Sequence, residues 1–233
     1  MNLPWADIGR LTVEHLQLVG MAMSAALVVA LPLGVWMSRE ARLRPWALGF
    51  ANVMQTIPSL AMLGFLIPIA YIGGVGTRSA VVALVLYALL PILKNTLTGI
   101  LQVDPAVRDS AIALGMTPRQ LLWRVELPLA APTILAGVHI ATVTCIGTAT
   151  IAAAIGAGGL GVLIFRGIAT VNTELILAGA IPAALLSLVT DGVLSWVEHR
   201  LWRSSSPSSS ADARAVAAER AESSSGRRTS LSS

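Results

Sequence analysis

Charge is what this chain has least of. Asp, Glu, Lys and Arg make up 12% of its 233 residues, against roughly 25% in ordinary soluble domains. Its one cysteine, Cys145, excludes an internal disulfide framework. The opening stretch MNLPWADIGRLTVEH has Asp7 and Glu14 where a signal peptide would carry positive charge, and no clear small-residue cleavage site follows. The apolar runs hold no clustered His/Cys/carboxylate constellation, so a membrane enzyme lacks support, and no Walker A pattern occurs. What is abundant is apolar: hydrophobic residues reach 55% and the mean hydropathy is +0.75. An integral membrane protein follows. The formal net charge of +4 reflects where the arginines fall and does not imply a nucleic-acid partner.

Leu16–Met37 carries no charge. At 1.5 Å per residue it extends roughly 33 Å, enough to cross a hydrocarbon core of about 30 Å. Trp36 and Trp46 bracket the basic turn Arg39–Arg44 as interfacial anchors. A second span within Trp46–Gly76 contains Pro58 and Pro68 and should be broken or kinked. A glycine-rich loop, Ile72–Arg78, leads to a third span, Ser79–Ile100. A fourth, Thr133–Ile155, and a fifth, Leu175–Val197, flank the glycine-rich connection Gly156–Asn172. The fold class is all-α membrane protein with five spans, or six if Gly156–Ala169 re-enters the bilayer. Residues 1–15 read as an external segment, 16–200 as the membrane domain, and 201–233 as a Ser-, Ala- and Arg-rich cytoplasmic tail without apolar periodicity.

Five spans put the termini on opposite sides. One side then holds Arg39, Arg42, Arg44, Lys94, Arg108, Arg119, Arg124, Arg200 and Arg203; the other holds Arg10, Arg78 and Arg166. The positive-inside rule places the first group in the cytoplasm and the N-terminus outside.

Between the third and fourth spans lies a polar block, Asp109–Pro128 (DSAIALGMTPRQLLWRVELP). Asp104-Pro105 is a helix-start signal, with Asp as cap and Pro in the first turn. The helix Ala106–Leu114 should end at Gly115 in a C′ position. Thr117-Pro118 restarts a second helix, expected to reach about Glu126 and stop before Pro128. Leu121, Leu122 and Val125 share one apolar face, and Arg119, Arg124 and Glu126 are expected to stay in water. The outcome is a helix–Gly–helix hairpin over about residues 104–132. On pattern alone it could also be an ordinary amphipathic connector.

The block resembles the EAA motif of ABC-importer permeases. Asp109, Ser110 and Ala111 stand for the opening acid-Ala-Ala. Gly115 falls at the motif's offset, and Val125, Leu127 and Pro128 close it after nine residues. Asp for Glu, Ser for Ala and Val for Ile are the departures. The resemblance implies a type I ABC-importer permease fold whose cytoplasmic coupling-helix hairpin docks on an ATPase. The segments Asn52–Ile69, Leu86–Ile100 and Ile146–Ile168 look like the osmoprotectant branch, which imports glycine betaine, choline, carnitine or proline betaine; similarity covers about Leu16–Glu198. It implies several partners: a dimeric ABC ATPase carrying ATP-Mg, a second permease copy or paralogue, and an extracytoplasmic substrate-binding protein. It also implies a bacterial inner-membrane location, no cofactor in this chain and no catalytic residue. A permease for another small substrate, methionine or a sulfonate, is the alternative within the class.

Asn52, Gln55 and Thr56 in the second span, Asn95 and Thr96 in the third, and Thr148 in the fourth are candidate pathway residues. Polar groups at membrane depth face a protein interior or a wet path, although each could equally glue helices together. The stripe Gly137, Ala141, Thr144 or Cys145, and Thr148 reads as a packing or dimer face. GAGGLG (Gly156–Gly161) lacks the strand–turn–helix setting of a nucleotide fingerprint and reads as a tight external turn. His139 reads as hydrogen-bonded or interface-facing, and Asp191 as snorkelling or pairing with an arginine. An ion-coupled secondary transporter built on these two residues is the rival of a different class. The aromatics Phe50, Phe65, Tyr71 and Tyr87 do not cluster in sequence, so a cation–π cage for a quaternary amine belongs to the binding protein.

Overall fold

The computed structural model describes residues 5–69 and 74–202. Tyr71, the first part of the glycine-rich loop and the tail from Ser204 lie outside the described residues. Nine α-helices order the described chain: α1 Trp5–Arg39, α2 Arg44–Thr56, α3 Ser59–Leu66, α4 Thr77–Leu101, α5 Pro105–Ala113, α6 Pro118–Leu121, α7 Leu127–Ala152, α8 Gly161–Ala169 and α9 Thr173–Trp202. Four helical stretches are long and apolar enough to cross a membrane, and α2 with α3 makes a fifth if the pair is one span. The chain is thus a multi-pass, all-α membrane protein. At nine residues α8 extends only about 14 Å, too short for a sixth crossing. Residues 5–15, expected as an external segment, form the first turns of α1.

Helix α4 is the centre, packed between α1 and α7 and against α2 and α3. Small residues permit this. A Cβ on Gly137 would stand 2.5 Å from Asn95 Cβ, and one on Gly34 would stand 2.7 Å from Thr96 Cγ2. Gly137, Ala141, Cys145 and Ala149 are buried on one face of α7, so the small-residue stripe is a helix-packing face that runs through Cys145; Thr144 is exposed.

The segment expected to be the second span is bent at Pro58. α2 and α3 meet at 105° across Ile57-Pro58. The break frees the Ile57 carbonyl, and the Tyr87 hydroxyl of α4 donates to it. At the end of the bundle holding the α1 N-terminus, Gly156, Gly158 and Gly159 take left-handed conformations. Their turn packs on α1, where the Gly159 N–H donates to Glu14 Oε2 at 3.3 Å. A smaller apolar cluster joins Leu11 to Leu160, Leu163, Ala178 and Ala183. Residues to Glu198 form one unit, and a second begins at His199.

Candidate functional site: the α5–α6 hairpin

The polar block folds by local signals. The Asp104 side chain accepts from the Ala106 N–H at 2.8 Å, and Pro105 opens α5. The helix then closes in a Schellman motif: the Met116 N–H donates to Ala111 O (3.2 Å), and the Gly115 N–H to Ile112 O (2.9 Å). Gly115 has φ +81°, a left-handed conformation that glycine adopts without Cβ strain. Nothing lies within 4 Å of where its Cβ would stand. Thr117 and Gln120 form a reciprocal capping box, with Pro118 in the first turn.

Two expectations are corrected here. The second helix does not stop before Pro128. It widens into a π-helical turn, Leu122–Glu126, and continues as α7. The Leu127 N–H bonds Leu122 O, five residues back. A proline in a regular helix would press its ring on the carbonyl four residues earlier, that of Arg124, and the wider turn relieves the clash. Nor is Glu126 in water: its side chain is fully buried. Arg39, the last residue of α1, forks onto it, with Nη1 3.2 Å from Oε1 and Nη2 bound to Oε2. Arg108 of α5 brings Nε to 3.2 Å from Oε1, at ion-pair distance but off line for a hydrogen bond. Its Nη2 donates to Ile100 O in the last turn of α4. Arg44 fastens the same corner, donating to Met37 O (2.8 Å) and Ser38 O (3.0 Å) at the end of α1.

The motif residues are distributed over this hairpin. Asp109, Ser110, Gly115 and Pro128 are exposed, Ala111 is buried, and Val125 and Leu127 are half-buried. Leu121 packs inward, while Leu114 and Trp123 are 81% and 63% exposed. A shallow recess of about 300 Å³ is lined by Thr117, Arg119, Gln120, Trp123 and Arg124.

The pathway candidates are not brought together as a set. Asn52 of α2 shares an open groove of about 340 Å³ with Leu48, Gly49, Leu90 and Lys94. Gln55 and Thr148 are half-buried and Thr56 is exposed, its hydroxyl returned to Val53 O at 2.7 Å. Asn95 donates to Pro91 O of its own helix at 2.8 Å. Thr96 is fully buried against Gly34 of α1, a packing position. Lys94, omitted from the set, carries charge into the groove, and its place one turn from Leu90, beside Asn95 and Thr96, is the sequence signal for it. His139 is hydrogen-bonded on both nitrogens, Nδ1 to Glu198 Oε1 and Nε2 to Asp191 Oδ1, each at 2.9 Å. Asp191, expected to snorkel or to pair with an arginine, is bound by this histidine.

Comparison with known proteins assigns the architecture. Residues 26–203 match the family described as binding-protein-dependent transport system inner membrane component. Among curated relatives, the carnitine transport permease OpuCD of Listeria monocytogenes is 50% identical over 76% of this chain and 78% of its own. The choline transport system permease OpuBB of Bacillus subtilis is 44% identical over 82% and 86%. The osmoprotectant import permease OsmW of Salmonella typhimurium is 42% identical over 83% and 89%. Among solved structures, the inward-facing MetNI methionine ABC transporter matches with TM-score 0.77 at 22% identity, covering 86% of this chain and 99% of that one, a likeness of fold. With the family match spanning most of the chain, the protein belongs to the binding-protein-dependent transport system inner membrane components and is a non-catalytic permease subunit of an ABC importer.

Proposed function

We propose that this permease carries quaternary-amine osmoprotectants of the glycine betaine, choline and carnitine type, and that the α5–α6 hairpin docks it on a separate ATPase. The curated relatives support the substrate class, since they are named for carnitine, choline and osmoprotectant import at 42–50% identity. The docking reading is carried by one observation: a hairpin held by a Schellman close and a capping box that leaves Leu114 and Trp123 on its outer surface. Large apolar side chains exposed on a polar element outside the spans support a contact surface there.

In this reading the hairpin faces the cytoplasm, the N-terminus is outside and the C-terminus inside. Two permeases, this chain with a copy or a paralogue, sit on an ATPase dimer that binds ATP-Mg. An extracytoplasmic binding protein delivers the substrate. ATP-driven closure draws the paired hairpins together and rocks the spans between inward- and outward-facing states. Asn52, Gln55, Thr56, Asn95 and Thr148 would border the path, with Thr96 reserved to packing. Importers of methionine or sulfonates are the alternative substrate class. Uptake of radiolabelled choline, betaine and carnitine, competed with methionine and a sulfonate, separates the two.

Gly115 tests the docking. Asn tolerates the left-handed conformation far better than Val, so Gly115→Asn keeps the turn while adding a side chain to an open surface. Both Gly115→Val and Gly115→Asn should reach the membrane and lose uptake by tenfold or more, roughly 1.4 kcal/mol of coupling. Wild-type uptake in both variants would refute docking at this surface.

A further inference from the structure

Glu126 is the one fully buried carboxylate among the described residues. It gathers parts far apart in sequence: Arg39 at the end of α1 through Nη1 and Nη2, and Arg108 of α5, which itself reaches Ile100 at the end of α4. Glu126 also closes the π-helical turn that joins α6 to α7. That turn interrupts an otherwise continuous helix, as the short π-turns found at functional sites do. A displacement of the hairpin could be absorbed there. Apolar side chains around it would slide. A fully buried carboxylate resists sliding away from its arginines, because separation leaves that buried charge without its partner.

We propose that Glu126 is a positioning residue, the clasp that bridges the π-turn so that movement of the hairpin carries α1 and α7 with it. This rests on the docking reading above. The two arms differ. Arg39 is aligned on both oxygens, whereas Arg108 touches one oxygen out of line while holding α4. Arg39 is therefore the firm arm, and Arg108 the arm free to re-align when the hairpin moves.

The test uses the whole transporter, permease with its ATPase and binding protein, in proteoliposomes with radiolabelled carnitine and choline. Three quantities are read: ATPase retained on the purified permease, ATP hydrolysed, and substrate moved per ATP. Glu126→Gln keeps size and an acceptor oxygen but removes the charge. It should retain the ATPase and hydrolyse ATP within about twofold of wild type, while substrate moved per ATP falls about tenfold, near the upper end of the range for residues on a coupling network. Arg39→Lys, which keeps charge but loses the fork, should lower the same ratio by a smaller factor. Glu126→Gln with Arg39→Gln should be no worse than Glu126→Gln alone.

An unchanged ratio in Glu126→Gln, or hydrolysis and uptake falling in parallel, would overturn the clasp and leave Glu126 a folding residue. If Glu126→Gln does not accumulate, an unchanged ratio in Arg39→Lys overturns it. A wild-type permease that fails to hold the ATPase would instead overturn the docking reading, a different and separately visible result.

Discussion

At Gly137 the α4 and α7 backbones approach so closely that the space for a methyl group is already taken by Asn95 and the Pro91 carbonyl, 2.5 and 2.7 Å from a Cβ built there. In a bilayer this proximity holds helices together, because lipid supplies no hydrophobic drive between them and small residues let backbones approach. Gly137→Val should therefore cost about 1–3 kcal/mol by overpacking and lower the melting temperature of the detergent-purified permease. Gly147→Val, on the same helix with nothing within 4 Å of its Cβ, should leave it near wild type. Equal effects would show that helix propensity, not contact, sets the response. Much of this residue-scale structure was legible beforehand. The caps Asp104 and Thr117, the C′ glycine at 115 and the small-residue stripe depend on neighbours within a few positions, which is the range over which capping and helical spacing act. Glu126 was not legible in this way. Its charge argued for water, and only Arg39, 87 residues away, with Arg108, makes burial tolerable.

Elements obey the same division between local and distant causes. Pro58 bends the chain between α2 and α3, and a bend at membrane depth must satisfy the carbonyls it frees. Tyr87, 30 residues on, does this for Ile57. Tyr87→Phe keeps the ring and its packing and removes only the hydroxyl. Leaving a part-buried carbonyl unpaired costs about 1 kcal/mol, so the variant should melt earlier, and α2–α3 amides should exchange faster with deuterium while α7 amides keep wild-type protection. Uniform loosening of the bundle would contradict a local role. Pro128 shows the reverse error. Proline as a stop signal is sound for a regular helix, but the π-turn Leu122–Glu126 lets the chain pass through it. Length and hydropathy give four spans, and a fifth if α2 and α3 together make one; α8, at nine residues, is too short to cross.

For the whole molecule, the two ends of the bundle are chemically distinct. At one end the Gly156–Gly159 turn meets Glu14, and Val75 packs 3.5 Å from the place a Gly156 Cβ would occupy. At the other end Arg39, Arg108 and Glu126 join α1, α5 and α7. The first end carries Arg10, Arg78 and Arg166. The second carries Arg39, Arg42, Arg44, Arg108, Arg119 and Arg124. Positive residues accumulate on the cytoplasmic side because they resist translocation, so the hairpin end should face the cytoplasm. The single cysteine makes this simple to measure: Cys145 is buried and can be replaced by alanine to give a silent background. On that background Thr117→Cys, in the capping box, should react with a membrane-impermeant maleimide only in inside-out vesicles, and Val75→Cys, which is exposed, only in intact spheroplasts. The reverse pattern would put the hairpin on the outer face, where no ATP-driven partner could reach it, and the docking reading would fall together with the orientation.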